Sequence, residues 1–217
     1  MYTFSYSPGA CSLAPHIVLE EVGAPYERQL VKAGVATQTA EWKAVNPKGR
    51  VPALSPVPGS AGGAQNLLTE ANAIMIYLAR TYPEAGLIPA SPASEARMIE
   101  WLNYLAAGVH SSVYGTIRRT ARFVDDEALF PPIQEKGKRS LREAYTYIEG
   151  LLADGRDWAV PGGYSLADIY LLVFYYFGRP PLFDMKTEFP AWAALVAKVA
   201  SRPAVQRILA VEELTLP

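Results

Sequence analysis

The spacing of hydrophobic and polar positions changes once along this chain, from mixed periods to a helical period throughout. Residues 2–6 form an aromatic, β-prone run and predict a first strand. Ser7-Pro8-Gly9 is a turn signal. Leu13, Ala14, Ile17 and Val18 then pair four residues apart and predict a helix. Ser12 is its expected N-cap, Pro15 falls in the first turn where a missing N–H costs little, and Gly23 supplies the stop. Residues 26–31 read as a second strand, and residues 39–45 as a short helix with Trp42 and Val45 on one side. Asn46-Pro47-Lys48-Gly49 is a turn into a short strand at Val51-Pro52-Ala53-Leu54, where a proline is tolerated because it starts the strand. Residues 56–63 are loop, 65–68 a fourth strand, and Thr69-Glu70-Ala71-Asn72 starts a helix over 73–81 carrying Ile74 and Leu78. The order β-α-β-α-β-β-α predicts a mixed sheet with helices packed on it, roughly 80 residues in all, a normal small-domain size.

Residues 82–92, with three prolines and a glycine, read as a linker. Beyond it every pattern is helical. Residues 93–124 predict one long amphipathic helix with Met98, Trp101, Leu102, Leu105, Val109 and Val113 on its apolar stripe. A second stripe of Asn103, Ala107, His110 and Tyr114 mixes small and polar residues, as a face lining a cleft does. Arg118, Arg119 and Arg122 follow and read as a solvated face with cations favoured near a helix end. Residues 134–152 form another helix. Ser165 and Asp168 have capping-box spacing, with Asp in the Glu position, ahead of a helix over 167–177 that is apolar all round and so should be buried. Two last helices are expected over 190–200 and 203–211. The domain reading is therefore 1–81, a linker at 82–92, and an all-helical domain at 93–217.

Composition narrows the function. Half of the 217 residues are hydrophobic, 19% are charged and the net charge is −1, which is globular and offers no field for nucleic acid or an anionic membrane. The longest apolar run, 169–177, is far short of the roughly 20 residues that span a bilayer. One cysteine excludes an internal disulfide framework, and no basic segment followed by an apolar run is seen at the start, so a cytoplasmic protein is expected. Two isolated histidines make no metal site, and no phosphate-binding glycine loop or nucleophile-elbow serine occurs. His16 reads as structural.

The one cysteine carries the candidate chemistry. Cys11 sits between a strand and a helix start, where free N–H groups and the helix dipole favour thiolate and should lower its pKa. A lone cysteine is otherwise a small buried hydrophobe, and a lone histidine such as His110 a satisfied helix residue.

Several stretches together resemble a bacterial glutathione transferase of the beta class, which has a cysteine in the first loop. They are Ser7-Pro-Gly-Ala-Cys11-Ser-Leu-Ala-Pro-His16, Asn46-Pro-Lys-Gly-Arg-Val51-Pro52-Ala-Leu54, Leu68-Thr-Glu70-Ala71-Asn72-Ala-Ile74, Trp101-Leu-Asn103 with His110, and Tyr164-Ser165-Leu-Ala-Asp168-Ile169-Tyr170. The resemblance covers the whole chain. It implies a thioredoxin-like N-terminal domain followed by an all-helical domain, and a homodimer. It implies a cis Pro52 and glutathione paired with Val51 as an added strand. The ligand's γ-glutamyl end would meet Glu70 and the helix start at Ala71, with Asn103 also assigned to glutathione. Ala71 departs from the serine of many members, which suggests binding weaker on the order of 1 kcal/mol. No lysine near residues 34–38 stands ready for the glycine carboxylate, which leaves Lys32 or Lys48. Cys11 would lie beside the glutathione sulfur, with Tyr6, Ser12 and His110 as donors to it. A hydrophobic electrophile would rest on Ala10, Tyr114 and Phe123. No metal is implied. Three functions follow: conjugation of glutathione to hydrophobic electrophiles, glutathione-dependent thiol–disulfide reduction by Cys11, or non-catalytic ligand binding.

Overall fold

A computed structural model describes residues 1–58 and 66–217. The end of the expected loop 56–63, and Gln65 of the expected strand 65–68, lie outside the described residues.

The N-terminal elements are β1 (Tyr2–Tyr6), α1 (Leu13–Glu21), β2 (Tyr26–Leu30), α2 (Ala40–Val45), β3 (Ala53–Ser55), β4 (Leu68–Thr69) and α3 (Ala71–Thr81). The four strands make one mixed sheet in the order β2-β1-β3-β4. β1 and β2 run parallel, joined by the α1 crossover, while β3 is antiparallel to both β1 and β4. This is the thioredoxin-like arrangement. α2 begins as its sequence requires: Thr39 is extended and its Oγ1 accepts the Trp42 N–H at 3.3 Å. The Val51–Pro52 peptide is cis.

The remainder is helical: α4 (Pro92–Asn103), α5 (Gly115–Arg118), α6 (Phe130–Leu152), α7 (Leu166–Phe177), α8 (Met185–Glu188), α9 (Pro190–Ala200) and α10 (Pro203–Val211). Every residue of α7 is buried, as its all-round apolar sequence predicts. Its start carries the expected box. Asp168 Oδ2 accepts the Ser165 N–H (2.8 Å) and hydroxyl (2.9 Å), and Oδ1 accepts the Ala159 N–H at 2.7 Å. Burial pushes the Asp168 carboxyl above its ordinary range, and these donors pull it back.

The single long helix expected over 93–124 is not formed. α4 ends at Asn103, residues Tyr104–Tyr114 run as a π-helical stretch, and α5 lasts only four residues before Arg119 leaves helical geometry at φ −143°. The wider π turn rotates the cleft face. Ala106, His110 and Tyr114 share it, while Asn103 and Ala107 point to solvent. One continuous core joins Phe4 of β1 and Ile17 of α1 to Leu102 of α4 and Phe174 of α7. α1 also meets α10 through a charged clamp: Arg202 Nε and Nη2 donate to the two Glu21 carboxylate oxygens at 2.6 and 2.9 Å.

Candidate active site

The loop between β1 and α1 presents the thiol. Ser12 Oγ donates to the Ser7 carbonyl at 3.0 Å and accepts the Ser7 N–H at 3.1 Å, closing the loop on itself. Ser12 is fully buried and makes no side-chain cap to α1, contrary to the expected N-cap, because its hydroxyl is occupied inside this loop. Gly9 has φ +66°, which strains any other residue, and a Cβ there would also crowd the Tyr176 ring at 3.0 Å. The chain's end holds the loop from outside. Glu212, 3% exposed, accepts the Gly9 N–H through Oε2 at 2.9 Å and pairs with His16 Nδ1 through Oε1 at 2.6 Å. His16 is thus structural.

Cys11 Sγ lies 3.8 Å from the Val51 carbonyl oxygen and is the donor there. Both line a cavity of about 1030 Å³ bounded by elements of both halves of the chain. Among the described residues the Val51 N–H makes no hydrogen bond, so that backbone edge is open to an extended ligand. Glu70 stands at the start of α3 with φ +72°, a strained backbone for a non-glycine residue. Its carboxylate pairs with Lys48 Nζ at 2.6 Å, and Lys48 also donates to Thr69 Oγ1 at 2.8 Å.

The opposite wall comes from the π-helical stretch and α7. His110 packs 5.5 Å from Phe177, which in turn stacks on Tyr114 at 5.0 Å and 12°. Burial, then the Arg119, Arg122 and Arg50 charges, press the His110 pKa from 6.5 down to about 4, so the ring is neutral at pH 7 with one N–H to donate.

The thiol behaves against expectation. Burial pushes the Cys11 pKa from 9.0 up to about 11, and Arg119, its own backbone N–H and Arg50 recover only part of that shift. The helix start does not outweigh burial: the sulfur draws on its own backbone N–H there, while its thiol donates to the Val51 carbonyl. An acceptor beside a thiol favours the protonated form.

Of the residues singled out in the sequence, the cavity brings together Ala10, Cys11, Val51, Pro52, Glu70, Ala71, His110, Tyr114 and Phe123. Tyr6 is not on it. Its ring turns the other way and packs 4.8 Å from His16 and beside Phe4. Ser12 and Asn103 are likewise outside the lining. Lys48 lines the cavity but is held by Glu70, and Lys32 does not line it.

The arginines are the main departure. Arg118 and Arg122 are exposed, as on a solvated face, but together with the half-buried Arg119 they line the cavity, with Arg50 and Arg179. Arg119 is half-buried because the break after α5 turns it inward. Its position directly beyond the Tyr114 stripe was a usable signal only if the helix were known to end there. A second cavity, of about 940 Å³ between Trp101, Tyr147 and Trp158, holds neither thiol nor imidazole. Among the described residues no group of three or more His, Cys, Asp or Glu could hold a metal, and no helix is long and apolar enough to cross a membrane.

A thioredoxin-like sheet with a thiol after its first strand, a cis proline opposite it and a helical partner domain define a class. Residues 1–80 match the glutathione S-transferase N-terminal domain and residues 128–203 the glutathione S-transferase C-terminal domain. The chain is 33% identical over 214 residues to glutathione S-transferase GstA of Escherichia coli O157:H7, covering 96% of this chain and 98% of that one. It is 34% identical over 167 residues to glutathione S-transferase GST-4.5 of Xanthomonas campestris pv. campestris, 76% and 77% of the two chains. Among solved structures, a Sulfitobacter glutathione transferase homologue with bound glutathione superposes with a TM-score of 0.84 at 27% identity over 99% of both chains. A sphingomonad glutathione S-transferase complexed with glutathione superposes with a TM-score of 0.77 at 32% identity, over 98% of this chain and 100% of that one. The chain belongs to the glutathione S-transferase family of enzymes.

Proposed function

We propose that this enzyme binds glutathione in the 1030 Å³ cavity and transfers its thiolate to the electrophilic carbon of an aromatic or otherwise apolar substrate. The carrying observation is the open Val51 backbone edge with a thiol 3.8 Å from its carbonyl. A tripeptide laid along that edge as an added strand has its sulfur beside Cys11. Its γ-glutamyl carboxylate faces the α3 start at Ala71 and its ammonium faces Glu70. Glutathione relatives with the ligand bound, at 27% and 32% identity over nearly the whole chain, support the same seat. The electrophile lies against Ala10, Tyr114 and Phe123 on the other wall. As the carbon–sulfur bond forms, either a leaving group departs with its electron pair or a double bond is saturated, and the thiol proton passes to water.

His110, Cys11 and the nearby arginines surround the sulfur. A neutral His110 donates one N–H, and Arg119 supplies charge; both favour the glutathione thiolate over the thiol. The Cys11 thiol is itself protonated near neutrality, which supports the transferase reading over a reductase one in which Cys11 attacks. We keep Tyr6 and Ser12 as supporting residues, Ser12 through its bonds to Ser7 and Tyr6 through its packing on His16 of α1, and withdraw Asn103, which points to solvent outside the cavity lining. We also propose a beta-class subtype, a homodimer, a cytoplasmic setting and the domain division 1–81, 82–92 and 93–217.

Calorimetry with glutathione and a conjugation assay with a chlorinated dinitrobenzene test this together. Binding plus conjugation is expected. A folded protein that takes up no glutathione would defeat the assignment, and tight binding without conjugation would move it to a binding protein.

A further inference from the structure

We propose that the second substrate is an aromatic electrophile carrying a carboxylate, seated by Arg119 with Arg122 beside it; this rests on the transferase reading above.

The chain is nearly neutral at −1, yet the cavity collects six cationic side chains against one carboxylate. That carboxylate, Glu70, is paired with Lys48. Arg179 lies 3.8 Å over the Tyr176 ring and donates to the Tyr176 carbonyl at 2.8 Å. Arg118 lies 5.9 Å from the centre of the Tyr114 ring. Arg50, Arg119 and Arg122 have no carboxylate within 4.0 Å among the described residues. Residues 59–65 contain no acidic residue that could supply one. Burial and mutual repulsion press the Arg119 and Arg122 guanidiniums downward, the state of cations gathered without an anion.

Bound glutathione does not satisfy them all. One of its carboxylates goes to the α3 start and its ammonium to Glu70, which leaves the glycyl carboxylate and the thiolate. Arg50 adjoins Val51 and stands on the glutathione side. Arg119 and Arg122 come from the helical half, on the segment running from Tyr114 to Phe123 that forms the apolar wall. A planar guanidinium at the edge of an aromatic slot matches a ring carboxylate through paired N–H donors. With an uncharged electrophile Arg119 would face only the glutathione thiolate, whose charge is consumed as the carbon–sulfur bond forms, and the half-buried guanidinium would then have no anion.

Two probes differ only in charge: a chloro-dinitrobenzoate with chlorine para to the carboxyl group and a nitro group on each side of it, and the matching benzamide. In each, the glutathione thiolate bonds to the ring carbon, the carbon–chlorine bond breaks, and chloride leaves. The readout is the ratio of kcat/KM for benzoate over benzamide, each divided by its uncatalysed rate. We expect the unaltered enzyme to favour the benzoate by about tenfold, the scale of a charge-assisted pair. Arg119→Met should bring the ratio near one, and Arg119→Lys should keep part of it. The ratio divides out losses common to both substrates.

A ratio near one in the unaltered enzyme overturns the proposal, as does an unchanged ratio in Arg119→Met with a raised glutathione KM, which would assign Arg119 to glutathione. Calorimetric titration of dinitrobenzoate, which has no leaving group, into glutathione-saturated protein reads the site without turnover. If neither chlorinated probe reacts while dinitrobenzoate binds in an Arg119-dependent way, the transferase reading fails and the carboxylate site stands.

Discussion

The protonated state of Cys11 is open to direct test by alkylation across pH. Burial raises its pKa from 9.0 to about 11. At pH 8 an ordinary cysteine is about one-tenth thiolate, whereas Cys11 should be about one-thousandth, a loss of about 100-fold. The more basic thiolate is intrinsically a better nucleophile by about tenfold over that interval, so the net slowing is about tenfold. Because the thiol opens onto the cavity, water trims the burial penalty, and any midpoint clearly above 9.0 carries the argument. With iodoacetamide and intact-mass detection, the alkylation rate should still be climbing at pH 10. The chain has one cysteine, so the signal has one source. Arg119→Met should move the midpoint higher, since Arg119 is the largest influence favouring the thiolate. A rate that saturates below pH 8 would refute the reasoning: the helix start would then outweigh burial, and Cys11 would become the working nucleophile.

Other outcomes follow from the same geometry. After treatment with glutathione disulfide, the unaltered protein should gain one glutathione mass, slowly at pH 7 and faster at pH 10, while Cys11→Ala gains none; an adduct on Cys11→Ala would displace the thiol from this role. Asp168→Ala strips the acceptor from three buried donors and should lower stability by about 3 kcal/mol in urea unfolding, with less effect on glutathione affinity; unchanged melting with lost activity would contradict this. His110 should titrate near 4 by NMR. Its folded pKa is depressed below 6.5, so the unfolded state takes up the proton first and acidification from 6.5 toward 4 should remove up to about 3 kcal/mol of stability, a slope that His110→Phe abolishes. Glu212→Ala deprives Gly9 and His16 of their buried partner and should cost about 2–4 kcal/mol and slow conjugation with it, read by unfolding and assay together; a loss below 0.5 kcal/mol would remove Glu212 as the anchor of the Cys11 loop.

The order of elements was legible because each local signal is strong and agrees with its neighbours. Thr39 caps α2, Asp168 closes the box on α7, and the apolar residues of α7 have nowhere to go but inside. The long helix over 93–124 misled because its period is helical whether its turn closes on four residues or five, and because the turn after Arg118 has no proline or glycine to mark it. Ser12 misled for a different reason. A serine before a helix is an N-cap by preference, but Ser7 offers it both a donor and an acceptor five residues back.

By itself the sequence determined the thioredoxin-like and helical layers, the placing of Cys11 between strand and helix, and the family motifs around Val51 and Glu70. Those depend on local propensities and short spacings, which the chain states directly. Only the folded chain decided the charge state of Cys11, the turning away of Tyr6, the grip of Glu212 on the Cys11 loop and the gathering of Arg50, Arg119, Arg122 and Arg179 around one cavity. Desolvation and charge repulsion depend on which distant segments meet: residues 11, 50 and 119 come to share one cavity, and residue 212 reaches Gly9 and His16, only once both halves of the chain have closed on each other.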